Sequence, residues 1–537
     1  MSDTLSQAKI LVIDDFQGMR TMLRDFVRAM GVIEVDTAAN GKEALRQLRQ
    51  RHYDIVICDF NLGDGQNGQQ VLEEARFHDH IGVSTIWIMV TAEKTTDMVM
   101  CAAEVKPDDY LLKPINQDQL ENRIKKLIVR KHSLRDIEEA IKAKDYATAI
   151  AKCDQQLLAQ AVNPQDILRI KSELLLTVGN YPAAKAVFES VQQTRSVPWA
   201  KTGLGKVCYH TGNYAGAKEL FQQVLSDNRM FMEASDWLVK ALEALGDGAQ
   251  AQQVLLDAVK LSPNSATRLK VLGDTAYRNG ALDIAQAAFA TTLKISEYSV
   301  HKSPAVYAGL AKVLAEKNTP DEALKVLARC KGAFKDHPEA AIQTAAVESA
   351  VYQKMGQADK AEAAMANAEQ MMSNLSGQVS PELVMEMAQS LLALGKRDKA
   401  SDLMRDLVKN NHENAAISRQ IEAVFDHAQL GAEGRALIKE SQQEVVNINN
   451  QGVMLAKKGE FMEGAKLLRT AVSNLPRSEV VIMNLCGLLI GQMSKQGPSE
   501  AISREVKELL ERIRELNPAN KNYHLYVSAL ARASGQS

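Results

Sequence analysis

The chain is poor in the residues that build cross-linked or β-rich proteins. Its 537 residues include six cysteines: Cys58, Cys101, Cys153, Cys208, Cys330 and Cys486. None forms a Cys-x-x-Cys pair and none clusters with histidine at zinc-finger spacing, which excludes a disulfide framework and a structural zinc module. Free thiols in a reducing cytoplasm are expected. Aromatic residues make up 5% and prolines number 13, a composition suited to packed helices rather than a β-sandwich. No run approaches the ~18–20 apolar residues that cross a bilayer. The opening MSDTLSQAKILVIDDF has no basic segment before its short apolar stretch, so no secretory signal is expected. Neither sign of charge prevails: 64 Lys and Arg face 66 Asp and Glu, a net charge of −2. That balance gives no basic footprint for nucleic acid or for an anionic membrane surface.

What is present falls into two textures, with the expected domains at residues 1–130 and 131–537. In the first, short β-branched runs (Ile10–Ile13, Val32–Val35, Ile55–Cys58, Ile86–Val90 and Tyr110–Leu112) alternate with helical patterns. Those patterns cover Gly18–Met30, Lys42–Arg51, Gln69–Arg76, Thr95–Val105 and Gln117–Val129. Five strands alternating with five helices predict an α/β, doubly wound, five-stranded parallel sheet covered on both faces. Ligands of such sheets bind beyond the carboxyl ends of the strands.

Beyond residue 130 strand signals nearly vanish and a period emerges. Leu204-Gly205, Leu238-Val239 and Leu272-Gly273 stand 34 residues apart, followed by Gly212, Gly246 and Gly280, by Ala217, Ala251 and Ala285, and by Phe221, Leu255 and Phe289. The spacing predicts tandem helical hairpins. The small residue of the first helix is expected to face Ala of the second, the aromatic or Leu to plug the gap, and the intervening Gly to turn the chain. Ala149 and Ala184 extend the pattern upstream; Ala323, Ala361, Ala400 and Gly464-Ala465 extend it downstream with longer intervals. A diverged unit is expected near 414–445, and capping helices at Ser499–Leu516 and Tyr523–Ala533. This all-α region resembles the tetratricopeptide repeats, whose hairpins stack into a superhelix.

Chemistry concentrates at the strand ends of the first domain. Asp14 and Asp15 follow the first strand, Asp59 ends the third, Thr91 ends the fourth and Lys113-Pro114 follow the fifth. Three close carboxylates resist joint ionisation unless a hard cation binds them. A carboxylate nucleophile, a divalent metal, an ammonium and a hydroxyl together suit phosphoryl transfer.

These residues closely resemble the receiver domain of bacterial two-component response regulators. The resemblance implies that Asp59 is the phosphoryl acceptor, that Lys113 pairs with the phosphoryl group, and that Thr91 and Tyr110 form a coupled switch. It implies Mg²⁺ held by the side chains of Asp15 and Asp59, by the backbone carbonyl of Asn61, and by Asp14 through water. Ala92 matches a small residue that leaves the site open. The loop NLGDGQNG after Asp59 departs from the commoner Met-Pro start.

The implied partners are a histidine kinase or phosphotransfer protein and a protein or peptide bound in the repeat groove. Groove candidates are Trp199, Lys206, Tyr209, Lys240, Asp274, Tyr277 and Arg278. A homodimer through the face of the fourth helix, fifth strand and fifth helix is open to a receiver. With no Pro or Gly between Ile115 and Ala161, a stiff helical connection is expected between the domains. No P-loop, nucleotide-binding glycine turn or catalytic triad appears. The string Glu-Ala-Leu occurs at Glu43, Glu243 and Glu322, always among common helix formers, and marks composition rather than a phosphodiesterase. The expected output is thus protein interaction without a separate catalytic domain. A transcriptional or nucleic-acid regulator with an unrecognised surface is the competing class.

Overall fold

The computed structural model describes residues 5–92, 104–132, 134–159, 163–375, 379–412, 414–518, 520 and 522–535. Cys101 and most of the helical pattern at Thr95–Val105 lie outside them. The described residues contain β1 (Lys9–Ile13), α1 (Gln17–Ala29), β2 (Glu34–Ala38), α2 (Gly41–Gln50), β3 (Ile55–Asp59), α3 (Gly68–Phe77), β4 (Ile86–Thr91), β5 (Asp109–Leu112) and α4 (Gln117–His132). All five strands are parallel, in the order β2-β1-β3-β4-β5. The central strands IVICD and IWIMVT are buried throughout, as a sheet covered on both faces requires. Ile10, Val12, Ile55, Ile57 and Ile88 fill one face; Leu11, Val56, Trp87 and Met89 fill the other. The chain order reverses between β1 and β3, which sets a crevice at their carboxyl ends.

Local chemistry explains the boundaries. Asn40 caps α2, and Asn67 and Gln70 close a reciprocal capping box on α3. The second strand starts later than the apolar run at Val32 predicts. Val32 N–H bonds back to the Val27 carbonyl at 3.3 Å, with Gly31 at φ 91°, so Val32 closes α1 and pairing begins at Lys9 with Glu34.

The helical connection also differs from expectation. Leu134 N–H donates to Lys131 O at 2.9 Å, and α5 (Arg135–Lys142) then starts as a separate helix. Packing breaks the run where no Pro or Gly does. Leu134 and Ile137 are buried against Val83, Arg135 pairs with Asp54, and Glu138 accepts from Ser84 N–H at 2.6 Å. Thus α5 clasps the sheet at the end opposite the carboxyl ends of its strands.

The chain divides into two compact units, Met1–Val306 and Tyr307–Ser537. The first holds the sheet and the hairpins formed by α5 and α6 (Tyr146–Leu158), α7 (Pro164–Thr177) and α8 (Tyr181–Thr194), α9 (Pro198–His210) and α10 (Tyr214–Asp227), α11 (Met232–Ala244) and α12 (Gly248–Leu261), and α13 (Ala266–Arg278) and α14 (Leu282–Ile295). Gly212, Gly246 and Gly280 turn the chain at φ 82°, 77° and 74°. Ala217, Ala251 and Ala285 are fully buried. The small residue of the first helix, however, faces the plug and not the alanine. A methyl on Gly205 would lie 2.4 Å from the Phe221 ring, and one on Gly273 2.6 Å from Phe289. The aromatic ring needs the space that Cβ would take.

In the second unit the longer intervals from Ala323 to Ala361 and from Ala361 to Ala400 have a simple cause. The helices Pro338–Lys354 and Ala358–Asn374 have 17 residues each, against 13 in α9 and 14 in α10. One extra turn in each displaces the register by about four residues. The diverged stretch holds Ala415–His427 and a single 27-residue helix, Gly431–Lys457. The end of the chain forms Glu500–Leu516, capped by Ser499, and Tyr523–Ala533. Among the described residues, no helix is long and apolar enough to cross a membrane.

Candidate functional site

The site lies at the carboxyl ends of β1, β3, β4 and β5. Asp14 follows β1 and is fully buried, Asp15 beside it is exposed, and Asp59 at the end of β3 is 7% exposed. One carboxylate oxygen from each lies within 4.8 Å of the other two. Lys113 reaches across from the end of β5, its Nζ 2.8 Å from Asp59 Oδ2 and 3.0 Å from Asp14 Oδ2. Its backbone is fixed by the bond from Lys113 N–H to Thr91 O at 2.7 Å.

Burial pushes the Asp59 carboxyl above the ordinary range; Lys113 pulls it back and Asp14 adds to the rise. Burial works against the Lys113 ammonium, yet Asp59 and Asp14 together hold its pKa above the ordinary value. One ammonium thus serves two buried carboxylates, with a third carboxylate at the rim. An oxygen-only set with excess negative charge suits a hard divalent cation, so Asp14, Asp15 and Asp59 fit Mg²⁺. Asn61 is exposed next to them, its side chain accepting from Gly63 N–H at 3.4 Å.

Thr91 is buried at the end of β4. Tyr110 is half-buried and pairs in register with Met89, two residues before Thr91. Strand alternation therefore puts Thr91 and Tyr110 on one face of the sheet. Ala92 is exposed beside them. The unusual loop after Asp59 is anchored by Leu62, 2% exposed in the core, and turns through Gly63 and Gly65 at φ 72° and 106°.

Three contributors were not singled out by sequence. Gly68 packs so tightly that a methyl there would lie 2.1 Å from the Asp59 carbonyl oxygen. Arg20 donates to the Asp14 carbonyl at 2.6 Å, and Phe16 N–H donates to Asp14 Oδ1 at 2.9 Å. Backbone approaches of this kind leave no residue-type signature.

The groove candidates are mostly engaged within the array. Lys206 is buried and bonded to Glu173 and Glu233, each at 2.8 Å. Lys240 lies 4.2 Å over the Trp237 ring, and Tyr209 packs edge-on against Trp237 and Tyr214. Asp274 pairs with Lys270 at 2.7 Å, and Arg278 pairs with Glu243. Trp199 packs edge-on against Phe188, and Tyr277 is half-buried.

Comparison with known proteins agrees with this geometry. Residues 10–125 match the response regulator receiver domain, and residues 202–266 match a tetratricopeptide repeat. Over 122 residues the chain is 30% identical to chemotaxis protein CheY of Pseudomonas aeruginosa, covering 23% of this chain and 97% of that protein. It is 29% identical to CheY-3 of Vibrio cholerae, covering 23% and 92%. Among solved structures, CheY4 of Vibrio cholerae is 28% identical, covering 22% of this chain and 98% of that one, with a TM-score of 0.21. Response regulator TrrA of Thermotoga maritima, solved with Mg²⁺ and BeF, is 31% identical, covering 22% and 99%, with a TM-score of 0.20. Through its amino-terminal domain, joined to a run of tetratricopeptide repeats, the chain belongs to the response regulators.

Proposed function

We propose that Asp59 accepts a phosphoryl group from a histidine kinase or phosphotransfer protein, and that the repeats convey this by protein contact, without a DNA-binding or separate catalytic output. The observation that carries the reading is the Asp59 carboxylate at 2.8 Å from Lys113, with Asp14 and Asp15 gathered beside it.

An Asp59 carboxylate oxygen attacks phosphorus. The P–N bond of the donor phosphohistidine breaks, and the imidazole nitrogen keeps the electron pair. The product is an aspartyl phosphate, a mixed anhydride. Receiver domains bind Mg²⁺ at an acidic pocket; here Asp14, Asp15, Asp59 and the Asn61 carbonyl would hold it, and it neutralises phosphoryl charge when bound. Lys113 turns from the Asp59 carboxylate to a phosphoryl oxygen, and the Thr91 hydroxyl donates to another. Tyr110, on the same face, then fills the space that Thr91 leaves. The new charge and acceptor oxygens bias the β4–β5 face between two arrangements.

The reading puts this work in the cytoplasm. A receiver dimer through the last helices and β5 would compete with the chain's own contacts there. Arg130 already pairs with Asp166 of the first unit's repeats, with Arg130 Nη2 at 2.7 Å.

The test is labelling of the full chain by a radiolabelled small acyl phosphate. Label is expected on the wild type with Mg²⁺, and not with a chelator or in Asp59→Asn. Label that persists in Asp59→Asn, or that never reaches the wild type, overturns the reading.

A further inference from the structure

The segment that leads into β5 is held by two hairpins of the repeats. Glu104 Oε1 accepts from Arg268 Nη1 and from the Ser262 hydroxyl. Two residues on, Lys106 donates to Glu233 Oε2 at 2.9 Å and lies 5.7 Å from the centre of the Phe231 ring. Glu233 stands on α11 and Arg268 on α13, so two neighbouring hairpins share the task.

The receiving residues form a prepared site. Arg268 has a side chain only 4% exposed. Its Nε and Nη2 form a fork with Asp236 at 2.9 and 3.1 Å, which leaves Nη1 for an incoming carboxylate. Glu233 Oε1 accepts from the buried Lys206 at 2.8 Å, while its Oε2 accepts from Lys106 and has Arg169 at 3.9 Å. A buried guanidinium and a nearby glutamate therefore read one acid and one base in a fixed order. The pairs are charge-assisted and partly desolvated, where such bonds discriminate most.

We propose that this trough, built from Lys206, Glu233, Asp236 and Arg268, is the ligand site of the repeats. Its ligand is a protein segment with an acidic residue two positions before a basic one. In this state the receiver's own Glu104-Val105-Lys106 occupies it in cis. An external segment of the same chemistry takes the site when the receiver's segment leaves. A tethered occupant acts at a high effective concentration, so the full chain masks its own site. The segment connects Thr91 to Tyr110, which gives phosphorylation a direct route to it. The recognition itself stands on the docking alone, so a failure of phosphorylation at Asp59 leaves it in place.

The probe is a fluorescent peptide with the sequence of residues 102–110, Ala-Ala-Glu-Val-Lys-Pro-Asp-Asp-Tyr, titrated into the full chain with no phosphoryl donor present. Glu104→Gln/Lys106→Gln is expected to bind it at least about tenfold more tightly than the wild type, because the cis competitor is weakened. Exchanging Glu and Lys within the peptide is expected to lose at least about tenfold in affinity for the same protein. That control changes the probe and leaves the protein's fold untouched. Adding Arg268→Gln to the opened variant is expected to remove the preference between the two peptides. Equal affinity for wild type and opened variant, or for the two peptides, overturns the proposal.

Discussion

Gly68 lies against the backbone of Asp59: a methyl on Gly68 would stand 2.1 Å from the Asp59 carbonyl oxygen, closer than packed atoms allow. Gly68 N–H also bonds to the Phe60 carbonyl at 2.8 Å, so the loop after β3 folds back onto the residue that presents the carboxylate. The neighbour is backbone in a central strand and has little room to yield. Gly68→Ala is expected to destabilise the chain by about 1–3 kcal/mol, the usual cost of overpacking, and to slow acyl-phosphate labelling at Asp59. Urea unfolding and labelling rates measure both. Wild-type behaviour in both would show that the acceptor does not depend on this contact.

Asp59 and Asp14 share one ammonium, and burial raises the Asp59 carboxyl pKa. A carboxyl whose pKa is raised on folding costs stability once the pH exceeds its unfolded value. Asp59→Asn removes that charge with little change of shape. It is therefore expected to abolish labelling while leaving the melting temperature unchanged or raising it. Mg²⁺ is expected to raise the melting temperature of the wild type, as a ligand selective for the folded state must, and to do so less for Asp59→Asn. A marked loss of stability in Asp59→Asn without metal would contradict this account.

The sequence made most of this site legible because its residues sit at strand ends, where alternation and β-branched runs fix position. Asp14, Asp59, Thr91 and Lys113 needed only the order of five strands to be brought together. Gly68 and Arg20 were not legible, since one acts by lacking a side chain and the other through a backbone carbonyl. The start of β2 was misread because Val32 is apolar for two reasons at once, helix closure and core filling. In the repeats, the 34-residue period marked Gly212 and Ala217 correctly. It did not reveal that Gly205 yields to Phe221, because a small residue opposite Ala and one opposite a ring look alike in one sequence. The engagement of Lys206 depends on Glu173 and Glu233 from other hairpins, a separation that local pattern does not report.

The docking of the receiver's segment carries its own pH dependence. Burial alone would raise the Glu233 carboxyl, but Lys206 and then Lys106 outweigh it and bring it down to about 2 from 4.5. A carboxyl lowered on folding stabilises the protein above its unfolded value, and that contribution fades as the pH falls from 4.5 toward about 2. Its size is roughly 3 kcal/mol. Glu233→Gln is therefore expected to be less stable than the wild type at neutral pH and to show a shallower loss of stability in acid. Urea midpoints measured from about pH 7 down to about pH 2.5 give both slopes. Coincident acid limbs would mean that Glu233 does not hold the charges drawn to it.

Two glycines of one hairpin separate two kinds of constraint. Gly205 has no room for Cβ because the Phe221 ring occupies it, 2.4 Å from where a methyl would be. Gly212 has open space around it but a backbone φ of 82°, which L-residues rarely adopt. Gly205→Ala is expected to cost about 1–3 kcal/mol through overpacking, whereas Gly212→Ala costs about 1 kcal/mol through backbone strain. Replacing the plug distinguishes the mechanisms. Phe221→Leu in the Gly205→Ala background should restore part of the loss, because a smaller side chain leaves space for the methyl. The same replacement should not help Gly212→Ala, where nothing is crowded. Chemical denaturation of the wild type, the three single variants Gly205→Ala, Gly212→Ala and Phe221→Leu, and the two doubles, read as two double-mutant cycles, gives a coupling energy for the 205–221 pair and none for 212–221. Equal coupling in both pairs would mean that the hairpin responds as a whole and that the ring does not specify the glycine.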